Sequence, residues 1–115
     1  MIPQKLRLRR WRVEKIIKKG RTAKIDNFII KYTENKCNFD RFSVVMSKKF
    51  EKLAVTRNRK RRQVYESIRN IIKTLDAQTA HFDIILIPYK KILSCNYEKI
   101  YQNVNNIFKQ LKKIT

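Results

Sequence analysis

The sequence predicts an α+β fold, a two-layer sandwich in which helices cover a small mixed sheet. Three observations lead there. Apolar residues recur with period two in some stretches and with a helical period in others. These patterns follow one another in the order α-β-β-(β)-α-β-α. One glycine and two prolines in 115 residues leave few tight turns, so residues 1–115 read as one continuous domain without repeats or linkers.

The first element is a short basic helix over 9–19, RRWRVEKIIKK. Val13, Ile16 and Ile17 share a face, Lys18 and Lys19 fill the last turn, and Gly20 stands as the stop. NFIIKYT (27–33) is strand-like, with Phe28, Ile30 and Tyr32 on one face and Asn27, Ile29 and Lys31 on the other. NKCNFD supplies a turn. RFSVVMS (41–47) is a second strand with Phe42, Val44 and Met46 toward the core. From Thr56 to about Leu75 the period becomes helical, through Val64, Ile68, Ile71, Ile72 and Leu75. FDIILIP (82–88) is nearly all apolar, as a central strand requires, and Pro88 ends it. A last helix carries Tyr97, Ile100, Tyr101, Val104, Ile107, Phe108 and Leu111 on one stripe, with Asn96 as N-cap.

The charge is one-sided. Lys and Arg number 29 against 9 Asp and Glu, a formal net charge of +20. Self-repulsion on that scale opposes compaction, which points to a polyanionic partner. The hydrophobic fraction of 43% is enough for a core. The longest uninterrupted apolar run is far shorter than the roughly 20 residues of a spanning helix. The N-terminal MIPQKLRLRRWRV has no apolar core of a signal peptide, so the expected setting is cytoplasmic, with Cys37 and Cys95 reduced.

Several chemistries lack their parts. His81 is the lone histidine, and only Asp83 lies near it in sequence. No Cys/His set has zinc spacing, the acids are scattered, and the one glycine excludes a glycine-rich phosphate loop. Nothing in the chain reads as a protein-borne active site.

What is present is TRNRKRR (56–62), five cations in seven residues at a predicted helix start. With successive side chains turning about 100°, Asn58, Arg62, Arg69 and Lys73 lie opposite the apolar stripe, and Glu66 can pair with Arg62 and Arg69. Arg57 and Arg59 would fall in the first turn, where the helix dipole disfavours cations unless an anion is bound. A strand and a loop precede this helix, so it is not a helix-turn-helix, and shaped RNA suits the arginines equally well.

FSVVMSKKFEKLAVTRNRKRRQVYESIR (42–69) resembles the signature of the bacterial ribonuclease P protein component: strand, S-K-K, short loop, R-N-R helix start. RRWRVEKIIKKG, DIILIPYKK and the closing amphipathic helix are similar to the family in the same order, over roughly residues 8–113. The resemblance implies a left-handed β-α-β crossover. It also implies the protein subunit of a ribonucleoprotein endonuclease, which binds a catalytic RNA and the 5′ leader of precursor tRNA. RNA-held Mg²⁺ then performs the cleavage. Carried over by position, Arg57, Asn58, Arg59, Arg61 and Arg62, with Ser47, Lys48 and Lys49 beside them, contact the RNA subunit, and Arg69 extends that face. The leader cleft falls on Val13, Ile17, Lys31 and Tyr32, with Lys31 preferred by strand phase. Trp11 is left between a stacking role and a partly buried anchor, and Tyr65 between stacking on RNA and flanking the core. Lys60 stands where the family is usually apolar. The other reading is a structural rRNA-binding ribosomal protein.

Overall fold

The computed structural model describes residues 4–37, 39–46, 54–74 and 81–114. After a 3-10 turn at Gln4–Leu6 come α1 (Arg10–Lys19), β1 (Arg21–Ile25), β2 (Phe28–Asn35), β3 (Arg41–Val44), α2 (Ala54–Ile72), β4 (His81–Pro88), a second 3-10 turn (Lys90–Ser94) and α3 (Tyr97–Ile114). The sheet order is β1-β2-β4-β3. β2 runs antiparallel to both β1 and β4, whereas β3 and β4 are parallel and joined across α2. A parallel pair needs such a crossover, because a tight turn cannot reverse the chain twice.

The strand that the sequence leaves optional is β1. Its alternation is weak because its residues are mostly exposed. A two-residue turn joins it to β2, and Asp26 there has φ +52°, a left-handed conformation that Asp tolerates better than most residues. The strand phases of β2 and β3 hold: Phe28, Ile30, Tyr32, Phe42, Val44 and Met46 are all buried in one core. Against them lie Val64, Ile68 and Ile71 of α2 and the α3 stripe from Ile100 to Leu111. Leu75 lies outside the described residues. The Asn96 side chain accepts the Lys99 N–H at 2.9 Å, a working N-cap.

β4 is central and buried from Phe82 to Leu86. Its even-numbered residues Ile84 and Leu86 enter the core with α2 and α3, so Asp83 and Ile85 face the other side. α1 covers that side, placing Ile16 over it while Val13 is half-buried and Ile17 remains 40% exposed. The expected three-residue stripe of α1 therefore buries only one side chain fully.

Gly20 does end α1, but not by left-handed backbone: its φ is −73°. Its N–H reaches the Ile16 carbonyl at 2.6 Å as the chain turns straight into β1. A Cβ at Gly20 would lie 2.6 Å from the Ile16 carbonyl oxygen and 2.9 Å from Ile16 Cγ2. Close approach is what demands glycine. Gly20→Ala is expected to destabilise the fold by about 1–3 kcal/mol, the range of an overpacked site, read as a lower urea midpoint with unchanged slope.

Candidate nucleic-acid interface

The cation-rich helix starts at Ala54, two residues before the start that the sequence predicts. Arg57 thus ends the first turn and Arg59 belongs to the second. The dipole decays within the first turn, so Arg59 meets little of the expected electrostatic penalty. What survives is the geometry of the face. Asn58, Arg59, Arg62, Arg69 and Lys73 are exposed, and Arg57 and Arg61 are half-buried. Glu66 pairs with Arg69 at 3.2 Å, and Arg61 donates to Asn58 at 2.9 Å. Arg59 and Arg62 have no hydrogen-bond or ion-pair partner among the described residues. Ser47, Lys48 and Lys49 lie outside the described residues.

Packing settles two members of the helix that the sequence leaves open. Lys60 Nζ donates to the Cys95 carbonyl at 2.7 Å. Cys95 caps the 3-10 turn Lys90–Ser94, its N–H donating to the Ile92 carbonyl at 3.1 Å, so the ammonium sits on the carbonyl at the negative end of a turn. Lys60 joins α2 to the entrance of α3 and is not part of the cationic face. Tyr65 is buried, and its hydroxyl accepts the Val44 N–H at 3.1 Å. It flanks the core.

The opposite side of the sheet divides the four expected leader residues. Lys31 lies on the side covered by α1, with Nζ donating to Thr22 Oγ1 at 3.0 Å. Val13 and Ile17 rim that side from α1. Tyr32 does not join them. Its ring is buried edge-on against Phe82, with centroids 5.9 Å apart, because strand alternation turns it to the core. Trp11 is no buried anchor: it is 60% exposed, with Lys15 Nζ 5.9 Å from its ring centroid.

A cleft of about 780 Å³ opens between the N-terminal segment, α1, β3 and α2, lined by Arg7, Arg9, Trp11, Arg12, Arg41 and Arg61 among others. Its floor is anchored on Asp83, which is fully buried. Arg41 grips it through Nε at 2.7 Å and a terminal nitrogen at 2.8 Å, Arg12 Nε at 2.8 Å and Asn35 at 2.9 Å. Burial alone would raise the carboxyl pKa. The hydrogen bonds from Arg41, Arg12 and Asn35 outweigh it and hold the group below its ordinary value. In the sequence Asp83 stands out only as a neighbour of His81. The available signal is an acid inside FDIIL, since a charge in a buried strand must be paired. The RLRRWR segment likewise carries three of the cleft cations, Arg7, Arg9 and Arg12.

His81 Nδ1 lies 3.5 Å from Asp40 Oδ1, which also accepts the Phe82 N–H at 2.7 Å. Among the described residues no three His, Cys, Asp or Glu side chains gather as metal ligands, and both Asp83 oxygens face cationic donors. These side chains do not fit a Mg²⁺ site. No described helix is long and apolar enough to cross a membrane.

The fold and these surfaces define a small basic α+β protein with an exposed cationic helix face and an arginine-lined cleft. The Ribonuclease P family model matches residues 2–112, and the chain belongs to that family. The Ribonuclease P protein component of Fusobacterium nucleatum is 37% identical over 91 residues, covering 75% of this chain and 78% of that protein. The Synechocystis protein component is 28% identical over 112 residues, covering 95% and 87%. The solved RNase P protein of Thermotoga maritima superposes with a TM-score of 0.77 at 27% identity, covering 90% of this chain and 96% of that one. The Staphylococcus aureus RNase P protein shares the fold, with a TM-score of 0.73 at 23% identity over 93% of this chain and 95% of that one. This membership favours the ribonuclease P reading over the ribosomal one.

Asp83→Asn leaves Arg12 and Arg41, each about a quarter exposed, without their counter-charge. The expected cost is about 3 kcal/mol, the low end for breaking a buried pair, measured by urea unfolding at neutral pH. In the parent protein this contribution is complete above the ordinary carboxylate range. It is lost as pH falls through the lowered native pKa. The difference between parent and variant should therefore shrink on acidification.

Proposed function

We propose that this chain is the protein subunit of a cytoplasmic tRNA-processing ribonucleoprotein. It binds a catalytic RNA through α2 and the single-stranded 5′ leader of precursor tRNA on the α1 side, assisting Mg²⁺-dependent removal of the leader. The observation that carries this reading is the exposed row on α2. Arg59 and Arg62 project from a rigid helix with no ion-pair partner among the described residues, beside Asn58 and Arg61. Guanidinium forks held this way match phosphate oxygens bidentately.

The protein's part is positioning and charge. Each phosphate neutralised by an arginine releases counterions, which makes binding favourable and salt-dependent. Neutralising the RNA's own repulsion reduces the Mg²⁺ that the RNA needs in order to hold the leader close. Mg²⁺ is held mainly by the RNA, in keeping with the scattered and paired carboxylates of the protein. On the leader side, Lys31 offers a cation on the sheet face that α1 covers, and Val13 and Ile17 add apolar surface from α1. Arg69 extends the RNA-binding face, and Ser47, Lys48 and Lys49, which precede α2 in the sequence, contact the same RNA.

Added to a ribonuclease P catalytic RNA, the protein is expected to lower the Mg²⁺ concentration at half-maximal cleavage of precursor tRNA. An unchanged Mg²⁺ titration would sink the proposal. Arg59→Ala and Arg62→Ala should each weaken RNA binding while leaving the thermal midpoint unchanged. Each should also reduce the slope of log K against log salt by about 0.7–0.9 for every phosphate no longer neutralised. An unaltered slope returns these arginines to an ordinary solvated face.

A further inference from the structure

Where α2 meets the start of α3 there is a second cavity, shallow and of about 440 Å³, lined by Arg62, Gln63, Glu66 and Tyr97. Arg62 belongs both to this cavity and to the exposed arginine row, so the two are continuous. Phosphate binding does not explain what else lies here. Glu66 is the one acid in α2. A carboxylate repels phosphate, so a face that served phosphates alone would be better without it. Its pair with Arg69 uses Oε1 at 3.2 Å and is exposed on both sides. Such pairs contribute little, and Oε2 is left without a partner among the described residues.

Two further observations point to a ligand. Gln63 Oε1 is buried and has no hydrogen-bond partner, and an acceptor left in that state is costly. The terminal torsion of glutamine is soft, so rotation of the amide can present this oxygen to an incoming donor. Tyr97 is held in place as a wall. Its hydroxyl accepts from Asn70 Nδ2 at 2.8 Å, and its ring lies tilted against Tyr101 with centroids 6.3 Å apart. The cavity thus offers two acceptors, one guanidinium donor and one fixed aromatic ring. A phosphate has no hydrogen-bond donor for those acceptors. A nucleobase has both the donors and the flat face, and unpaired RNA bases are read by stacking and by their Watson–Crick edges.

We infer that this cavity reads an unpaired guanine of the RNA that docks on α2. Guanine is the common base whose Watson–Crick edge presents two adjacent donors, N1–H and the N2 amino group, beside one acceptor, O6. The donors match Glu66 and Gln63, O6 matches Arg62, and the ring packs on Tyr97. Adenine and cytosine each bring one donor group, and uracil one N–H flanked by two acceptors. The inference rests on the proposed function for the identity of the RNA. Continuity with the arginine row assigns the base to the catalytic RNA.

Inosine, which is guanosine without the N2 amino group, tests this. Catalytic RNA with inosine at random single guanosine positions is bound at limiting protein, and bound and free RNAs are sequenced. Inosine at one unpaired position is expected to weaken binding about tenfold, within the range for one well-made contact to a base edge. Glu66→Gln and Gln63→Leu should each bind unmodified RNA about tenfold more weakly and lose the discrimination, whereas Gln63→Glu, which keeps an acceptor, retains it. Gln63→Leu removes the orphaned oxygen, so its thermal midpoint should not fall. A face serving phosphates alone predicts the opposite sign for Glu66→Gln, because loss of a repelling charge tightens binding. Tighter binding by that variant, tolerance of inosine everywhere, or discrimination that survives both variants overturns the inference. Inosine in precursor tRNA should have no effect, and an effect there in place of one in the catalytic RNA overturns the assignment. An unaltered salt slope in Arg62→Ala counts against the proposed function. A reduced slope with no inosine effect removes this cavity alone.

Discussion

Four elements of the sheet-and-helix framework meet at one carboxylate. Asp83, in the central strand β4, binds Arg12 of α1, Asn35 of β2 and Arg41 of β3. A carboxylate without water is costly, and only well-aligned charged donors offset the loss. This constraint fixes more than stability. It sets the angle of α1 across the sheet, the register of β3 against β4 and the direction in which two arginines face solvent. The α2–α3 side of the sheet is held by ordinary apolar packing. The α1 side is held by two fully buried isoleucines, Ile16 and Ile85, and by this polar junction, and it is correspondingly open.

That asymmetry divides the molecule's labour. Core residues Phe28, Ile30, Ile84, Leu86, Val64, Ile68, Ile100 and Val104 are all essentially sealed from water between the sheet and two helices. They form a rigid platform, and the outer face of α2 projects from it at fixed spacing. With a charge of +20, no arrangement of nine acids could neutralise the surface. Two of the acids, Asp83 and Asp40, are buried at junctions, and the outer face of α2 stays largely cationic.

Periodicity makes most of this legible. The phases of β2, β3, β4, α2 and α3 follow from alternation and helical spacing, and the exposed set Asn58, Arg62, Arg69 and Lys73 follows from the same geometry. What a sequence does not supply is the third dimension. The start of α2 is hard to place because Ala54 and Val55 carry no capping signal. The roles of Tyr65 and Lys60 stay open in a helical wheel until the Val44 amide and the Cys95 carbonyl are placed beside them. Gly20 is recognisable as a stop, but the reason is a collision with Ile16 and not a backbone angle. Tyr32 belongs to the cleft only by resemblance, against the strand phase that correctly sends it to the core. The R-N-R block draws attention to α2, while the arginines scattered over positions 7 to 41 assemble only through the fold.

The N-terminal segment has one more effect. Arg7 bridges to Phe42, and the Leu8 N–H donates to the Phe42 carbonyl at 2.8 Å, so the outer edge of β3 is partly sealed by the chain itself. The sheet's other margin, β1, has no strand beyond it among the described residues. Open margins invite a second molecule to pair along them, and charged side chains are a common deterrent. β1 carries Arg21 and Lys24, so that deterrent is electrostatic. Its range shrinks from about 10 Å at 0.1 M salt to about 3 Å at 1 M. The two margins are thus guarded differently, one by charge that depends on the ionic surroundings and the other by the chain's own backbone.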